Sequence, residues 1–194
     1  MLRSVLYDWG GLNVWLFHAI NDVHGHWLDA FMRLGTTLGG HANFPLYLAI
    51  AALIGWFVTS RSSKKSNQAA VWLGVLTVFS VAYVLDGWLL GWLKPYLDFP
   101  RPPLALPMGD VIVVGQLELH HSLPSGHASF AMLIAASFWP LLGKPRRILM
   151  GLFVLWVGLS RISLGAHFPA DVAAGFLSSL VLVLLMRFLL KRWV

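Results

Sequence analysis

The chain has 194 residues, 58% of them hydrophobic and only 11% charged. Soluble domains carry about 25% charged residues, so this composition, with a mean hydropathy of +0.72, excludes an ordinary water-soluble globule. Cysteine is absent, which excludes disulfides and thiolate-bound metals, and the basic residues behind the net charge of +6 lie between apolar runs rather than on one face, so no nucleic-acid partner is expected.

The first 20 residues mix Arg3, Asp8, Asn13 and His18 without a clean apolar core, so no cleavable signal peptide is expected. Over residues 9–34, Trp9, Leu12, Trp15, Leu16, Ala19 and Ile20 recur at helical spacing before Asn21, Asp22, His24 and His26 interrupt. This predicts one or two amphipathic helices lying in the membrane interface. Residues 1–43 are therefore read as an interfacial N-terminal segment, and 44–194 as the transmembrane part of a single domain. If residues 9–34 cross instead, they form a sixth span and move the N-terminus to the other side.

Five apolar runs follow, at about 44–59, 69–93, 128–142, 148–159 and 172–190. Only helices and closed barrels satisfy their backbone in lipid, and the two-residue alternation of barrel strands is missing. The fold class is thus an all-α integral membrane protein with five spanning helices, six if the N-terminal segment crosses. Several runs fall short of the ~20 residues a span needs, so interfacial flanks must supply the rest. Arg61, Lys64 and Lys65 follow the first run, Lys144, Arg146 and Arg147 part the third and fourth, and Arg187, Lys191 and Arg192 close the fifth. All three clusters fall on one side of a five-helix path and contain no acidic residue. The positive-inside rule makes that side cytoplasmic.

Charged residues that this rule does not require lie on the opposite side. Lys94 and Arg101 flank the end of the second run; alone they would pass for headgroup anchors. Pro124-Ser125-Gly126-His127 opens the third helix. A serine there is a common N-cap, glycine admits a ligand close to the backbone, and free N–H groups favour an anion. A histidine in the first turn is unfavourable when charged, which suits a group that exchanges a proton when phosphate arrives. In Ser160-Arg161-Ile-Ser-Leu-Gly-Ala-His167-Phe-Pro-Ala-Asp171, Pro169 is expected to start the last helix. Asp171 then lies in its first turn, within reach of His167. A carboxylate on one ring nitrogen leaves the other free to attack, and arginine forks suit phosphate oxygens.

The patterns K-x6-R-P, P-S-G-H and S-R-x5-H-x3-D, intact and in this order over Lys94 to Asp171, resemble the three signatures of the type-2 phosphatidic acid phosphatases. That family shares its site with vanadium haloperoxidases and bacterial acid phosphatases. The resemblance implies His167 as nucleophile, Asp171 as its orienting group, and His127 as general acid and then base. Lys94, Arg101, Ser125, Gly126 and Arg161 would bind phosphate, with no metal and no other cofactor. It further implies a lipid phosphate or diphosphate substrate drawn from the surrounding membrane lipids, with the site at the outer face of a cytoplasmic membrane. Among the substrates of small bacterial members, undecaprenyl diphosphate is the first expectation; phosphatidylglycerol phosphate or phosphatidic acid is the alternative. A lipid phosphotransferase would use the same residues, and a non-catalytic membrane protein would not need them.

Outside the signatures, His120 and His121 lie in the outer loop without a metal-ligand spacing. Asp86 lies within the second apolar run, where an acid is costly, about two turns below Lys94. It is expected to pair with a polar neighbour or to shape the pocket.

Overall fold

A computed structural model describes residues 7–190. Among them there is no β-strand. Seven helices of more than one turn follow in order: α1 (Leu12–Asn21), α2 (His26–Leu38), α3 (Phe44–Arg61), α4 (Lys65–Leu97), α5 (Gly126–Phe138), α6 (Lys144–Ser163) and α7 (Pro169–Leu189). All five predicted apolar runs are helices, α3 to α7. Three stretches, His41–Ser60, Lys65–Ala105 and Pro169–Leu189, are long and apolar enough to cross a membrane. α6 carries Lys144, Arg146, Arg147 and Arg161, and α5 has only 13 residues, so neither meets that description alone.

The residues at the helix ends explain where the helices stop. α6 and α7 each have proline in the first turn, where its missing N–H costs nothing. α6 ends at Gly165, whose φ is +74°, the left-handed conformation that closes helices. A Cβ on Gly165 would also stand 2.5 Å from the Ile112 carbonyl oxygen, so the outer loop packs directly on this turn.

α5 is the central helix, packed against α4, α6 and α7. It carries small residues where neighbours approach and Phe130, Leu133 and Ile134 where it fills the core with Val78, Phe79 and Val183. α5 and α7 touch at Gly175, where an added Cβ would fall 2.5 Å from the Ser125 carbonyl oxygen. This close approach brings the Ser125 N–H to 3.0 Å from the Asp171 carbonyl, joining two signature segments.

The N-terminal segment forms two helices, α1 and α2, of 10 and 13 residues. At 1.5 Å per residue these are about 15 and 20 Å long, too short to span singly. They lie against α6, and α1 also touches α7. Phe17 is wholly buried with Ile162, Phe168 and Val172, while Trp27, Phe31 and Leu34 on α2 stay exposed. Asn13 Oδ1 accepts the Ala170 N–H at 2.9 Å. Asn21 bonds the Ile112 and Ser163 carbonyls and accepts the Ile112 N–H. These buried amides tie the segment to the start of α7 and to the outer loop. Arg61, Lys64, Lys65, Lys144, Arg146, Arg147 and Arg187 occupy the end of the bundle opposite the signature residues; Lys191 and Arg192 lie outside the described residues.

Candidate active site

The ends of α4 and α6, the starts of α5 and α7, and the turn before α3 surround one cavity of about 320 Å³. Lys94, Arg101, Gly126, His127, Arg161 and His167 line it, together with His41, Gly87, Leu90 and Glu118. Six of the eight sequence-predicted residues therefore meet at one space, although they are spread over 74 positions of the chain. Ser125 and Asp171 stand immediately behind that lining, both wholly buried.

His167 precedes α7 in a short loop and is almost completely buried. Its Nε2 lies 3.3 Å from Arg101 Nη1. A guanidinium only donates, so Nε2 is the acceptor and Nδ1 carries the proton. Nδ1 is 3.5 Å from Asp171 Oδ2 and 3.3 Å from Ser122 Oγ, and Ser122 Oγ donates to Asp171 Oδ2 at 2.5 Å. The hydroxyl thus bridges imidazole and carboxylate, adding a contact the sequence did not suggest. Asp171 also accepts the Phe168 N–H at 2.9 Å and the Tyr7 hydroxyl at 2.9 Å. Held this way, His167 turns Nε2 toward the cavity it lines, where Arg101 Nη1 donates to it. Burial pushes its proton affinity well below the usual imidazole range, and the charges of Arg161, Arg101 and Lys94 push it further. Both effects favour the neutral form of the ring.

The cations are set for an anion. Lys94, in the last turn of α4, donates to the His121 carbonyl at 3.2 Å. Arg101 is tied to the His120 and Ala166 carbonyls, and its Nη2 is paired with Glu118 at 2.6 Å. Arg161 Nη1 donates to Thr36 Oγ1 on α2 at 2.5 Å, but its Nε is buried without a partner. Ser125 occupies the N-cap position of α5, yet its hydroxyl caps nothing and is also buried and unpartnered. Among the described residues, then, two buried donors, Arg161 Nε and Ser125 Oγ, have no protein acceptor. His127 stands in the first turn of α5 across from His167, and a Cβ on Gly40 would lie 4.0 Å from its Nε2.

The residues matched by the family model, 75–193, contain every one of these signature positions; that model describes the PAP2 superfamily. The chain belongs to it. It is 30% identical over 119 residues to a lipid A 1-phosphatase of Rhizobium johnstonii, covering 60% of this chain and 47% of the relative. It therefore spans about half the length of that protein. It is 29% identical over 171 residues to phosphatidylglycerophosphatase B of Bacillus subtilis, covering 83% of this chain and 74% of that one. Among solved structures, Aquifex aeolicus LpxE superposes with a TM-score of 0.71 at 27% identity, over 90% of this chain and 94% of its own. A PAP2-type phosphatidylglycerolphosphate phosphatase from Bacillus subtilis shares the fold with a TM-score of 0.69 at 23% identity, over 96% of this chain and 88% of its own.

Five residues escaped the sequence signatures: Tyr7, Thr36, His41, Glu118 and Ser122. None belongs to a spacing pattern, and each reaches the site only through tertiary packing. His120 and His121 both pair with Asp98, at 3.4 and 3.2 Å, and their carbonyls hold Arg101 and Lys94. Among the described residues no group of three His, Cys, Asp or Glu side chains is placed to hold a metal ion.

Proposed function

We propose that this protein is a membrane lipid phosphatase that works through a phosphohistidine, without a metal. The observation that carries this is His167 Nε2, held by the Arg101 guanidinium, in a cavity that Lys94, Arg101 and Arg161 also line. In the first step Nε2 attacks phosphorus. The bond from phosphorus to the leaving oxygen breaks, and His127 gives that oxygen its proton. In the second, His127 takes a proton from water, the hydroxide oxygen attacks phosphorus, and the P–N bond breaks to free phosphate. Lys94, Arg101, Arg161, Ser125 and the Gly126 N–H hold the phosphoryl oxygens as charge builds on them. The preferred substrate is undecaprenyl diphosphate, supported by a site at the end away from the basic clusters. All five helices α3 to α7 cross a cytoplasmic membrane in this reading, and the site faces outward. One relative, phosphatidylglycerophosphatase B of Bacillus subtilis, supports a second substrate, phosphatidylglycerol phosphate. The test is phosphate release by the purified protein in detergent with EDTA, on undecaprenyl diphosphate, phosphatidylglycerol phosphate and phosphatidic acid. Release with EDTA present is expected, and His167→Ala should reduce it by at least about 10³-fold. Release that needs added metal, or survives His167→Ala, would sink the mechanism.

A further inference from the structure

A third histidine lines the catalytic cavity, and the mechanism above does not use it. His41 sits in the turn His41–Asn43 that joins α2 to α3. Its ring centroid is 5.0 Å from that of Phe130. Phe130 lies three residues after His127 on α5, a rise of about 4.5 Å, so the two share a helix face and His41 packs against that face beyond His127. His41 Nε2 is 2.8 Å from Asp86 Oδ2. Asp86, on α4, is wholly buried. Its other oxygen accepts Ser129 Oγ of α5 at 2.6 Å and Ser179 Oγ of α7 at 3.0 Å. Among the described residues no lysine or arginine pairs with it. An intramembrane carboxylate is costly, and here its one basic partner is a wall of the catalytic cavity.

We infer that His41, positioned by Asp86, contacts the leaving group and selects for one that carries a second phosphoryl group. This rests on the phosphatase reading and specifies the substrate class of the same site. With Nε2 fixed on Asp86, Nδ1, which makes no hydrogen bond among the described residues, is the ring atom left for a ligand. The scissile oxygen belongs at His127, and the next donor along that face of α5 is His41. A diphosphate places anionic oxygens in that interval, whereas a monoester places carbon there. An imidazolium between the Asp86 carboxylate and a departing phosphate is neutralised from both sides. Lys94, Arg101, Glu118, His127, Arg161 and His167 are the other charged or titratable groups around the same space.

The test compares kcat/KM of the full-length protein in detergent on a polyprenyl diphosphate and on the monophosphate of the same chain length. His41→Ala should lower the diphosphate value by about 10- to 100-fold and the monophosphate value by no more than threefold. His41→Gln, which keeps a donor, should recover part of the diphosphate loss, and it carries the comparison if the alanine variant does not fold. Equal losses on both substrates, or no loss on either, would overturn the assignment while leaving the phosphatase reading intact. Wild-type protein that releases phosphate from neither substrate would remove both.

Discussion

His167–Asp171 and His41–Asp86 are both pairs of an imidazole with a wholly buried carboxylate, but they are built differently. In the first, the two residues are four apart, and the start of α7 sets their spacing. In the second, 45 positions separate them, and four elements converge on the carboxylate. The first imidazole is 2% exposed and wedged between Arg101 and Ser122, whereas the second is 28% exposed. The contrast separates two uses of a buried acid. Asp171 orients a ring that must present one lone pair, so its shell is crowded with donors that fix its geometry. Asp86 ties α4, α5 and α7 together through hydroxyls, and holds a ring that keeps one edge open.

That contrast breaks if the pairs respond alike to neutralisation. Asp171→Asn should reduce kcat by about 10²- to 10⁴-fold with a smaller change in KM, because the amide no longer fixes the tautomer; steady-state phosphate release checks it. Ser122→Ala should cost about 10- to 100-fold in kcat, the usual scale for a group that orients a reacting imidazole. A wild-type rate would mean that the 3.5 Å contact of Asp171 suffices without the bridge. Asp86→Asn should instead act first on stability. It weakens hydrogen bonds to a charged acceptor worth about 1–3 kcal/mol, and should lower the thermal midpoint by about 2–8 °C, while monophosphate turnover changes little. The smallest effect is in acid. A His167 held below the usual range binds fewer protons folded than unfolded, so its contribution to stability is present above pH ~6.5 and declines as pH falls below it. Histidine 15N shifts, assigned by comparison with a His167→Asn sample, should show a neutral ring at pH 6.5. A half-protonated ring there would contradict the electrostatics of the cavity.

Much of the phosphate site was legible because it is written in local spacing. Pro169 starts α7 and so fixes Asp171 in its first turn, and His167 then follows at one turn's distance. Lys94 and Arg101 are separated by a helix end, and Ser125 to His127 by a helix start. The bridging Ser122 was illegible because it arrives from a loop with no periodicity, and its neighbour Ser125 has the same chemistry in a better-known position. Thr36 and Tyr7 come from an N-terminal segment whose apolar pattern speaks only of an interface. Asp86 was visible as an anomaly in an apolar run. Its partner was not, since the contact with His41 depends on how α3 and α4 pack rather than on any spacing. Helix existence was likewise plain from the five apolar runs, while the brevity of α5 was masked by Trp139 to Leu142, which are as apolar as the helix they follow.

Arg187 bears on where that short helix can end. At 13 residues α5 is about 20 Å long, some ten ångströms less than the hydrocarbon thickness of a bilayer. Its last carbonyls would meet lipid unpaired. The Arg187 guanidinium, reaching across from α7, donates to the Ala136 and Ser137 carbonyls at 2.6 and 2.8 Å. A charge at that depth draws headgroups and water toward it. The bilayer beside α5 should therefore be pinched inward on the face opposite the cavity, leaving a dimple whose floor is a single arginine.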